Sequence, residues 1–132
     1  MRNRMYCTLA VAALCFAAPA FAHHSTAMFD HSKEVTVEGT VKSWEWTNPH
    51  SWLQLVVSDG SGKLVEEGFE VGSPNTLFRN GWRANTFKPG DKVTLVAYPR
   101  RDGTIGGLVV AAKTVNGTWL TWLPKDARNA GK

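Results

Sequence analysis

The chain has 132 residues, 43% of them hydrophobic, with 15 Lys and Arg against 11 Asp and Glu and a formal charge of +4. That length holds about one domain, and a charge this small and this interspersed gives no footprint for nucleic acid. The only cysteines, Cys7 and Cys15, lie in the first stretch of the chain, so the remainder has neither a disulfide framework nor a thiolate ligand.

That first stretch reads as a secretory leader. Arg2 and Arg4 precede an apolar run from Thr8 to Ala18, and Ala20-Phe21-Ala22 supplies a small-x-small cleavage site. The apolar run is shorter than the roughly 20 residues that span a bilayer. Residues 1–22 are therefore expected to be a cleaved signal peptide, with a periplasmic or secreted product that has no membrane anchor. Cys15 follows Ala-Ala-Leu, but bulky Leu14 directly before it argues against processing as a lipoprotein. Loss of Arg2 and Arg4 lowers the charge from +4 to +2.

Cleavage after Ala22 makes His23 the first mature residue and starts a segment, 23–33, that reads as flexible. A domain follows over 34–123. From Glu34 to Trp46, Val35, Val37, Gly39, Val41 and Ser43 alternate with Thr36, Glu38, Thr40 and Lys42, the period of a strand with one buried face. Thr47-Asn48-Pro49-His50 has turn composition, and Ser51 to Ser58 gives a second strand. Asp59-Gly60-Ser61-Gly62 turns the chain into a third, Leu64 to Val71. Ser73 as N-cap and Pro74 at the first helical position open a short helix to Asn80, which Gly81 stops.

Lys88-Pro89-Gly90-Asp91 is a turn before a fourth strand, Lys92 to Tyr98. Arg101-Asp102-Gly103 turns into a fifth, Gly107 to Val115, and Asn116-Gly117 offers a last turn before Trp119-Leu120-Thr121-Trp122. Residues 124–132 read as a polar tail. Three strands, a short helix and two strands match a mainly β fold: a small five-stranded, OB-like Greek-key barrel of the oligonucleotide/oligosaccharide-binding type. The competing architecture is a small β-sandwich, which wants about seven strands and no helix.

The sequence also resembles the exported bacterial proteins grouped as domain of unknown function 6152. The resemblance rests on His23-His24-Ser25 with Met28-Phe29-Asp30, Trp46-Thr47-Asn48-Pro49-His50-Ser51-Trp52, Ser73-Pro74-Asn75 to Gly81-Trp82, and Lys88-Pro89-Gly90-Asp91 with Arg101-Asp102-Gly103. It implies export and a single domain, and it brings no activity with it.

Function has to come from side chains. A terminal His23 offers an α-amine, with a reference pKa of about 7.7 to 8.0, next to its own imidazole, and the two form a chelate ring on a metal. One more imidazole completes a three-nitrogen site of the histidine-brace kind, which suits Cu(II). His50, on a turn between strands, is the leading second ligand, with His24, His31 and Met28 as auxiliaries. The plainer reading is that a cleaved terminus exposes some residue in any case, and that an imidazole in an Asn-Pro-His-Ser turn serves backbone hydrogen bonds.

Six tryptophans form a second constellation. With an unbroken alternation, Trp44 and Trp46 stand on the face opposite Val41 and Ser43. With Trp52, Trp82 and Asn48 they would make a stacking surface for a small ligand or a periplasmic protein partner. Glu66, Glu67 and Glu70 read as a solvated strand edge. With no Gly-x-Ser-x-Gly elbow, phosphate-cradling glycine loop, cysteine nucleophile or His-Glu-x-x-His, the chain is not expected to be an enzyme. The expectation is an exported periplasmic binding module that binds or carries copper through His23. The alternative is a metal-free ligand- or protein-interaction domain that uses the tryptophans.

Overall fold

A computed structural model describes residues 26–123. The strands are β1 (Val35–Glu45), β2 (Trp52–Ser58), β3 (Leu64–Glu70), β4 (Lys92–Pro99), β5 (Gly107–Lys113) and β6 (Trp119–Thr121), with an α-helix, α1 (Pro74–Arg79), between β3 and β4 and a single 3-10 turn at Thr26–Met28 before β1. Each of the first five matches the alternation in the sequence to within two residues. The added β6 is too short for a periodic signal.

β1 pairs antiparallel with β2 and with β4, β2 with β3, and β4 with β5. The sheet then closes on itself, because β3 and β5 run parallel and pair at Phe69 with Gly107 and at Glu70 with Leu108. The result is a closed five-stranded barrel in the order β1-β2-β3-β5-β4, the OB-like arrangement expected from the element order, and the closure excludes a sandwich. β4 occupies one edge of β5 along its length, so β6 takes the other edge where β3 has ended, pairing Ala111 with Thr121 and Lys113 with Trp119.

Local chemistry explains the connections. Asp59 accepts from the amide of Ser61 at 2.8 Å, and its own amide reaches the carbonyl of Lys63, which tightens the β2–β3 turn. Ser73 caps α1 by accepting from the amide of Thr76, and Gly81, at φ +89°, ends the helix while the amide of Trp82 returns to the carbonyl of Leu77. The helix buries Leu77 against the barrel interior with Leu53, Leu55, Phe69, Leu95 and Val109.

One irregularity changes which residues are inside. Val41 pairs with Leu55, but the next partner of Gln54 is Ser43, so Lys42 is an extra residue and β1 bulges there. A bulge shifts the alternation by one. Val41 and Trp44 therefore both face the core, and Trp44 stacks among Trp82 and Phe87 with ring centroids 6.0 and 5.7 Å away.

A second buried cluster lies outside the barrel, where β4 and β5 present Tyr98, Leu108 and Val110. Phe29 packs onto it from the N-terminal side, with Trp122 and Leu123 from the C-terminal side. The backbone follows: Phe29 bridges Arg100, the amide of Asp30 donates to Pro99, and the amide of Arg101 donates to Met28. The segment read as flexible is thus, from Ala27 onward, tied to the barrel. No described helix is long and apolar enough to cross a membrane.

Candidate functional site

Cross-strand pairing places a row of residues on the barrel's outer face. Glu45 pairs with Trp52, Trp52 with Glu70, Glu70 with Leu108 and Leu108 with Tyr98. Paired residues share a face, so the row is continuous over five strands. One histidine meets the middle of this row and another meets its β4 end. His50, in the β1–β2 loop, points Nδ1 at Glu70 Oε1. His31 lays its ring 4.7 Å from that of Tyr98.

The loop holds His50 by its backbone as well. The hydroxyl of Thr47 donates to the His50 carbonyl at 3.1 Å. Ser51, the next residue, exchanges backbone hydrogen bonds with the residues that follow β3, its amide donating to Gly72 and its carbonyl accepting from Val71. The Asn48–Pro49 peptide bond within the loop is cis, and Asn48 is exposed. The His50 side chain keeps 40% of its surface exposed, whereas that of Glu70 keeps only 6%.

The solvated-edge reading of the three glutamates therefore needs correction at Glu70. Glu66 is exposed and pairs with Lys42, as a solvated edge would. Glu70 sits between Trp52 and Leu108, and a carboxylate so enclosed requires a partner, which His50 supplies. Alternation along β3 groups Glu66 and Glu70 correctly. What it lacks is the neighbour on β5, which joins the row only when the barrel closes.

His23 and His24 lie outside the described residues. Met28 is 44% exposed at the segment's start, with its carbonyl held by Arg101. Among the described residues no group of three or more His, Cys, Asp or Glu side chains is close enough to hold a metal ion. His50 and His31 are brought to one face and not to one point. Two strand spacings separate Glu70 from Tyr98, about 10 Å.

The tryptophans do not form the expected surface. Trp82 is fully buried, its indole donating to the carbonyl of Thr121 at 3.2 Å. Trp44 donates to the carbonyl of Arg83 at 3.0 Å, and both Trp44 and Trp46 pack against the core. The bulge at Lys42 is the physical cause, since it turns Trp44 and Trp46 to the side of Val41. Trp52, half-buried on the outer row beside Glu70, is the one member of that set on this face.

Electrostatics also shape the tether. Two hydrogen bonds from Ser32, the larger from its hydroxyl, together with Lys33, lower the carboxyl of Asp30 from its ordinary 3.8 to about 2.

Fold and site together define a small OB-like barrel whose N-terminal segment is strapped to an outer face carrying a half-exposed histidine on a buried carboxylate. The model of the family of unknown function DUF6152 matches residues 11–111, and the chain belongs to that family. No curated protein matches the chain.

Proposed function

We propose that this protein is an exported binding module that holds copper through the α-amine and imidazole of a mature N-terminal His23 and the imidazole of His50, with His24, His31 and Met28 as auxiliary donors. The observation that carries this reading is the course of the N-terminal segment. Phe29 packs on Tyr98 and Leu108, and Leu108 is the strand neighbour of Glu70, on which His50 rests. The segment that leads back to His23 is thereby attached to the face that presents His50.

Chain length is compatible with the approach. The Met28 carbonyl is fixed by Arg101, and His23 precedes Met28 by five residues, an extended reach of about 16 Å. A terminal amine, its own imidazole and a second imidazole make a nitrogen-rich, planar donor set, which favours Cu(II) over the other divalent first-row ions. The metal-free alternative is less favoured, because Trp82 is buried in the core and Trp44 and Trp46 pack against it, which leaves Trp52 and Asn48 to serve that alternative.

The test is Cu(II) titration by calorimetry and electron paramagnetic resonance of naturally exported, cleaved protein. The same protein with one alanine inserted before His23 is the control. Tight one-to-one binding with a nitrogen-rich spectrum, abolished by the insertion, is the expected result. Weak binding that ignores the insertion overturns the reading and returns attention to Trp52.

A further inference from the structure

Resting on the reading of His50 as a ligand, we propose that Glu70 is a positioning residue. It locks the His50 imidazole in the Nδ1–H tautomer and turns Nε2 outward as the atom that meets the metal.

The geometry has three parts. Glu70 is inside the row rather than at its margin, with Trp52 on one side and Leu108 on the other, and its side chain is 6% exposed. Strand pairing fixes its backbone, since β3 is hydrogen bonded to β2 along its length and to β5 at this residue. Its carboxylate is therefore a stationary acceptor. The facing ring atom is Nδ1 of His50, and the backbone of His50 is held by Thr47 before it and by the Ser51 pairing after it. The backbones that carry the ring and the carboxylate are thus each held independently of the bond between them.

A neutral imidazole has one N–H and one lone pair. A carboxylate accepts and cannot donate, so it draws the proton to Nδ1 and leaves the lone pair at Nε2. Nε2 is the ring nitrogen that does not face Glu70, and 40% of the side chain remains exposed, which leaves room for a metal to approach. The carboxylate also makes the ring a stronger donor, as in other carboxylate–histidine–metal arrangements, whose disruption typically costs about 10- to 100-fold in metal affinity. Glu70 would never touch the metal.

The experiment uses the processed protein labelled with 15N. Long-range proton–nitrogen correlation spectra at about pH 8.5 read the two ring nitrogens of His50 directly, without metal. Cu(II) affinity and spectrum are then measured on wild type, Glu70→Gln, Glu70→Ala and His50→Ala. The expected result is a protonated Nδ1 and a bare Nε2 in wild type. Glu70→Gln, which keeps an acceptor oxygen, should preserve that pattern. Glu70→Ala should lose it and bind Cu(II) about 10- to 100-fold more weakly.

A wild-type His50 protonated at Nε2 overturns the proposal whatever the variants do, so it stays falsifiable even if Glu70→Ala fails to fold. So does a tautomer that Glu70→Ala leaves unchanged. Failure of the copper reading looks different: the tautomer responds to Glu70 as expected, while copper binding is indifferent to His50→Ala.

Discussion

The His50 imidazole is the partner of Glu70, a carboxylate enclosed between Trp52 and Leu108. His50→Ala therefore does more than delete a ring. It leaves a charge in a place water hardly reaches. Removing one partner of a fully buried pair costs about 3–5 kcal/mol, and the partial exposure of His50 reduces this to roughly 1–2 kcal/mol. Adding Glu70→Gln to His50→Ala should recover part of the loss, because a neutral amide is cheaper to enclose. Urea denaturation of the two variants checks this, and a double variant no more stable than His50→Ala would contradict it.

Phe29→Ala should free the N-terminal strap while leaving the barrel intact. Phe29 is 2% exposed, and its cluster is separate from the barrel interior. The loss is up to about 3 kcal/mol, and it falls on local opening rather than on global unfolding, since the strap packs on the outside of the barrel. Hydrogen exchange should quicken at the amide of Asp30, which donates to the Pro99 carbonyl, and at that of Arg101, which donates to the Met28 carbonyl of the strap. The amide of Leu55, in the middle of β2, should be unaffected.

Gly107→Ala should damage the closure of the barrel. A Cβ at Gly107 would overlap the carbonyl oxygen of Tyr98 on β4 and lie 3.3 Å from Cβ of Ala97. Backbone cannot step aside as a flexible side chain can, and Gly107 is one of two residues through which β5 meets β3. The expected destabilisation is roughly 2–3 kcal/mol by chemical denaturation. An unchanged midpoint would mean that the β4–β5 ladder gives more easily than its geometry indicates.

Asp30 makes strap stability depend on acid pH. Its carboxyl is held at about 2 by Ser32 and Lys33, below the 3.8 of an unconstrained group. A depressed folded-state value means the unfolded chain takes up the proton first, so the contribution is complete above about pH 4 and fades as pH falls toward 2. Thermal melts of wild type and Asp30→Asn from pH 5 to pH 2 should show the smaller decline in the variant. Parallel curves would remove Asp30 from the acid response.

Much of the fold was legible because its signals are local. The Val-rich alternation of residues 35–41, the Asp-Gly turns and the Ser73-Pro74 cap each depend on a few neighbouring residues, and the elements formed where they predicted. The same alternation misplaced Trp44 and Trp46, because one extra residue at Lys42 reverses every side chain beyond it. Nothing in the run Val41-Lys42-Ser43 announces the bulge. It shows only in the register of β1 against β2.

The candidate site divides in the same way. His50 was legible as a histidine held on a turn, and that is where it stands. Glu70 was not, because its burial comes from Leu108 across a parallel pairing that joins distant parts of the chain. Phe29 resembled an ordinary residue of a loose segment until the outer face of β4 and β5 gave it a hydrophobic seat.

By itself, then, the sequence determined the strands, the turns, the helix cap and the fold class, since periodicity and turn chemistry act over a few residues. Tertiary structure alone decided which tryptophans are buried, which glutamate lost its water and which histidine it holds. Those outcomes depend on register and closure, and no residue carries its cross-strand neighbour in its own local pattern.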